Sequence, residues 1–131
     1  MTVGFYPAFE PKLGVAFAGD GASLFHFAAE LDAIANERGL PALTSFADER
    51  EPPPDFDGYP EDLGEALGPW TAWFSPTEAL RCVEGLLAAL LEPAVRDRID
   101  GVAGVLADLD ALQVVLVLAK KKRAQFRLEI A

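Results

Sequence analysis

The chain holds 131 residues, a length that fits one compact domain with a core needing neither disulfides nor metals. Hydrophobic residues at 51% and charged residues at 24% place it among globular rather than disordered chains. Eleven Lys and Arg face 21 Asp and Glu, and the net charge of −10 weighs against nucleic acid, whose phosphates need clustered cations.

Cys82 is the sole cysteine, so neither an internal disulfide nor a Cys-rich zinc site can form, and a reducing compartment suits the chain. The opening Met1-Thr2-Val3-Gly4-Phe5-Tyr6-Pro7 lacks the charged and apolar regions of a signal peptide. The fully apolar run at residues 114–119 falls far short of the roughly 20 residues a spanning helix needs. The expectation is a cytoplasmic chain with no membrane partner.

In chain order, residues 3–6 and 13–18 are apolar and bracketed by Pro7 and Pro11, which predicts an opening β-hairpin or meander. Gly19-Asp20-Gly21 breaks that pattern. Leu24, Phe27, Ala28, Leu31, Ile34 and Ala35 then recur at helical spacing, predicting one helix over residues 23–38 that ends at Gly39 and Pro41. Residues 43–46 fit a short strand.

Residues 48–65 carry Asp48, Glu49, Glu51, Asp55, Asp57, Glu61, Asp62 and Glu65 against Arg50 alone, a local charge of −7. Pro52, Pro53, Pro54 and Pro60 oppose regular structure there, so the segment reads as an acidic, proline-rich loop. The rest of the chain keeps only −3.

Trp70-Thr71-Ala72-Trp73-Phe74 suits a strand. Ser75-Pro76-Thr77-Glu78 then has the form of a capping box with proline at the first helical position. Leu80, Val83, Leu86, Leu87, Leu90 and Leu91 follow on one stripe up to Pro93. A short helix over 93–99 comes next, then a longer one capped by Asp100, with Val102, Val105, Leu109, Leu112 and Leu116 facing inward. Val114, Val117 and Leu118 lie on its other side, and a helix apolar on both sides is buried twice or meets a partner. Lys120, Lys121, Lys122 and Arg123 complement the negative end of the helix dipole. Phe126, Leu128 and Ile130 alternate with Arg127 and Glu129 as a last strand. The fold class this order predicts is α+β: a single domain over 1–131, with an antiparallel or mixed sheet carrying three to four helices.

Catalytic chemistry is thinly represented. His26 stands alone between Phe25 and Phe27, with no companion histidine for a metal and no evident carboxylate to orient it as a base. Cys82 has only Arg81 beside it to favour a thiolate, and reads as a small apolar filler. Gly19-Asp20-Gly21 sits ahead of a helix, where anions bind, yet Asp20 would repel a phosphate and no P-loop lysine follows. The acidic segment lacks the ligand spacing of a calcium-binding EF-hand loop. The sequence therefore calls for no cofactor, no metal and no catalytic residue.

The acidic segment has a plain reading as a solvated loop and a sharper one as a docking surface for a basic protein. In the sharper reading Asp55, Phe56, Asp57, Tyr59, Glu61, Asp62, Trp70 and Trp73 form the partner-binding set, aromatic anchors inside a charged surround. Both tryptophans have core packing at a sheet edge as their structural alternative.

The run Trp70-Thr71-Ala72-Trp73-Phe74-Ser75-Pro76-Thr77-Glu78-Ala79-Leu80, with its leucine-rich helix and the closing Phe126-Arg127-Leu128-Glu129-Ile130, resembles small acidic bacterial proteins. Some of these are immunity proteins that sit beside secreted polymorphic toxins. The resemblance spans the C-terminal half, carries over no catalytic residue and implies a non-enzymatic, immunity-type inhibitor; the acidic segment is what points such an inhibitor at a basic target. Two other functions compete: a scaffold that self-associates as a homodimer through residues 114–118, and a small-molecule binder or enzyme, which would need a deep polar pocket.

Overall fold

The computed structural model describes residues 3–47 and 71–130. Among them the architecture is α+β, with five α-helices and one two-stranded antiparallel sheet. The elements are β1 (Phe5–Glu10), α1 (Ala22–His26), α2 (Ala28–Glu37), a 3-10 turn (Leu43–Phe46), α3 (Pro76–Ala89), α4 (Pro93–Arg96), α5 (Val102–Lys121) and β2 (Gln125–Ile130).

The sheet joins the two ends of the described chain, with Phe5 opposite Ile130 and Glu10 opposite Gln125. Phe5 donates its N–H to Gly21 O, so its backbone polar groups point away from β2. Strand alternation then turns the Pro7 nitrogen to the same outer edge, where a missing N–H costs no ladder bond. On the far side of β2, Phe126 and Phe74 exchange both backbone bonds, at 2.8 and 2.9 Å. That single bridge is what becomes of the strand expected at residues 70–74 within the described part. Ser75 and Pro76 end it by starting α3.

Three other expectations are corrected. Residues 13–18 form no strand: Gly14 takes a left-handed φ of 73°, and β2 supplies the partner that a hairpin would have given β1. The helix expected over 23–38 is two helices, because Phe27 leaves the helical basin at φ −103°, ψ 20°. The break lets α1 pack on α5 while α2 packs on α3 and the 3-10 turn. Residues 43–46 are that turn rather than a strand. Asp32 accepts both the N–H and the hydroxyl of Thr44, the latter at 2.6 Å, and so fixes the start of the turn from α2.

Helix α3 begins as its sequence dictates. Ser75 Oγ accepts the Thr77 N–H at 3.2 Å and Pro76 occupies the first turn. The reciprocal capping box does not form: Ser75 takes the Thr77 N–H rather than that of Glu78, and Glu78 pairs forward with Arg81. Helix α5 starts from Gly101 with no side-chain cap, one residue beyond the expected Asp100.

Val105, Leu109, Leu112 and Leu116 of α5 are buried against Leu80, Val83 and Leu86 of α3 and against Phe126 and Leu128 of β2. Leu24, Leu31 and Ile34 complete the core. By length and composition the whole of α5 would suffice to cross a membrane, although residues 114–119 alone would not. Here it is the central helix, with seven buried residues.

Outside the core, ion pairs tie elements together. Arg38 donates to Glu92 at 2.6 Å and Arg98 to Glu37 at 2.8 Å, linking the end of α2 to the segments flanking α4. The Arg38 hydrogen bond holds the Glu92 carboxyl below its ordinary value.

Candidate functional site

Of the predicted partner-binding set, Trp73 lies within the described residues, while Asp55, Phe56, Asp57, Tyr59, Glu61, Asp62 and Trp70 lie outside them. Trp73 precedes the Phe74 bridge and is half-buried. The Arg127 guanidinium carbon stands 4.3 Å from its ring centroid, a cation–π contact. Arg127 is held in turn by Glu129, whose Oε2 accepts from Nε at 3.0 Å and from Nη2 at 2.8 Å. One face of this ring therefore already meets a cation of the chain itself. The alternation of β2 produces the arrangement: Phe126 and Leu128 turn into the core, and Arg127 and Glu129 turn the other way.

The Gly19-Asp20-Gly21 turn does hold an anion, and the anion belongs to the protein. Asp108 of α5 is the one buried charged residue among the described residues, 2% exposed. Its Oδ1 accepts the Asp20 N–H at 2.9 Å and its Oδ2 the Gly21 N–H at 3.1 Å, just ahead of α1. Gly21 is at φ 81°, and a Cβ there would collide with Phe5 O, so the turn also packs tightly on β1. Sequence reasoning misses Asp108 because an acid in an apolar helix, with Asp110 two residues on, reads as a surface residue. Its phase with Val105 and Leu112 is the available signal.

The other chemistry-bearing residues do not converge. His26 is exposed and packs edge-on against Phe27 with ring centroids 4.6 Å apart. It borders an open groove of about 300 Å³ whose walls include Val3, Ser23 and Phe25. A second groove, about 320 Å³, is lined by Phe9, Leu13 and Val15 with Lys12 at its side. Cys82 is wholly buried, and burial, reinforced by the charge of Asp32 and opposed by Arg81, pushes its thiol up to about 12. Among the described residues no group of three or more His, Cys, Asp or Glu is placed to hold a metal ion.

No family model, curated protein or solved structure matches the chain.

Proposed function

We propose that the protein is a non-catalytic binding domain of the immunity type, offering its acidic segment to the cation-rich surface of a partner protein such as a nuclease. The observation that carries this reading is the −7 concentrated in residues 48–65. A field of that sign accelerates encounter with a basic partner by about 10- to 1000-fold at low salt. Supporting it, Arg38, Arg81 and Arg98 each already engage a carboxylate of the described body. In this reading Phe56, Tyr59, Trp70 and Trp73 supply apolar contact within the charged surround.

The test replaces Asp55, Asp57, Glu61 and Asp62 together with Asn or Gln. Association is then measured against a panel of folded basic nucleases at two salt concentrations. The parent chain should bind and inhibit at least one, with a rate that falls as salt rises. The neutralised variant should bind more slowly and lose most of that salt dependence. Equal binding by the two chains, or no binding by the parent, would reject the reading.

A further inference from the structure

Two helices share the centre of this protein, and their solvent faces differ in kind. The exposed residues of α3 include Glu78, Arg81 and Glu84, the usual charged dress of an outer stripe. The outer stripe of α5 runs Ala103, Ala107, Asp110, Val114, Val117, Lys121, all exposed, at alternating spacings of four and three. Its middle is apolar, with Val114 69% and Val117 47% exposed. Such spacing keeps one helix face in line, and apolar side chains on it are what helix pairing uses.

The charges on the stripe add a symmetry. Asp110 stands four residues before Val114, and Lys121 stands four residues after Val117. Neither has an ion-pair partner among the described residues. We infer that α5 pairs antiparallel with α5 of a second copy of this chain, about a two-fold axis midway between Val114 and Val117. In that arrangement Val114 meets the partner's Val117, and Asp110 meets the partner's Lys121. Both contacts are made twice, as a two-fold interface requires. A parallel pairing would set Asp against Asp and Lys against Lys, so the charges select the orientation. With the axis there, helix faces helix over residues 110–121, the half of α5 where the exposed stripe is apolar. One helix pair buries less than a standard interface, so the dimer is weak, with dissociation in the range of about 10 µM to 1 mM. None of this depends on the acidic segment.

Sedimentation of the full chain across that concentration range, at about 0.15 M salt, tests the pairing. A reversible monomer–dimer equilibrium is expected. Asp110→Lys and Lys121→Glu should each weaken it about tenfold, since each change places like charges together at two symmetric contacts. The double variant, with the charges exchanged, should recover to within about threefold of the parent. Val114→Asp should abolish the dimer while leaving the circular-dichroism melt near that of the parent, and the charge exchange decides the matter even if that variant melts early. A monomer throughout the range, or a dimer indifferent to the charge exchange, would overturn the inference. So would binding of the monomer to phosphatidylglycerol vesicles that Val114→Asp removes, which would assign the face to a lipid surface.

Discussion

Asp108 and Gly21 lie 87 positions apart in sequence, yet a carboxylate oxygen of one accepts the backbone N–H of the other at 3.1 Å. With the 2.9 Å bond from Asp20, this gives one carboxylate to both donors of the turn, of which the Gly21 N–H would otherwise be buried without a partner. Asp108→Ala should lower stability by about 3 kcal/mol in urea unfolding, with an unchanged slope. Asp108→Asn should recover little of that loss, because its NH₂ group would face a backbone donor. A parent-like midpoint for Asp108→Ala would show that water satisfies the turn equally well.

The features legible in the sequence are those fixed by neighbours along the chain. Ser75 and Pro76 announce α3, and the alternation of Phe126 and Leu128 announces β2. What escapes a reading of the sequence depends on distant partners. The ladder partner of β1 is β2, more than a hundred positions away, so residues 13–18 look like the nearer mate. Thr44 sits in a turn because Asp32 reaches it, and nothing within residues 43–46 signals that. The break at Phe27 has no glycine or proline to mark it, since it serves the separate packing of α1 and α2. Of the proposed partner-binding residues, Trp73 can be placed: its neighbour Phe74 bridges β2, and Arg127 meets its ring.

Ser75 offers a local test of the start of α3. Its hydroxyl oxygen takes one of the N–H groups that the first turn leaves without a helical acceptor. Ser75→Ala should cost about 1 kcal/mol in chemical denaturation, whereas Ser75→Asp should hold stability within a few tenths. Glu78→Ala should matter much less, because its carboxylate pairs with Arg81 at the surface instead of closing the box.

Cys82 predicts both a reactivity and a pH dependence. With its thiol pushed up to about 12, chiefly by burial, it should resist a thiol reagent at about pH 8 and react only as the chain unfolds. Labelling as fast as that of a free thiol would contradict its burial. The folded thiol keeps its proton more tightly than the unfolded one, whose ordinary value is 9.0. Below that value the difference has no effect. As pH climbs from 9.0 toward about 12 the unfolded chain releases a proton that the folded chain retains, and stability falls. Cys82→Ala should therefore show a shallower alkaline decline than the parent, whatever its absolute stability.

Trp73 separates a structural role from a purely recognitive one. Its ring packs beneath Arg127 at the edge of β2, so its removal strips a cation–π contact and part of the cover over the sheet. Trp73→Ala should lower stability by about 2 kcal/mol in urea unfolding, less than for a fully buried tryptophan because one part of the ring is already in water. Trp73→Phe retains an aromatic face for the guanidinium and should lose less than half as much. A residue kept only to anchor a partner would behave otherwise: Trp73→Ala would melt like the parent and fail solely in binding. Comparing the Ala and Phe variants in the nuclease assay then separates the two effects. If capture tracks the folded fraction in both, Trp73 supports the sheet, and recognition falls to the acidic segment and its own aromatics.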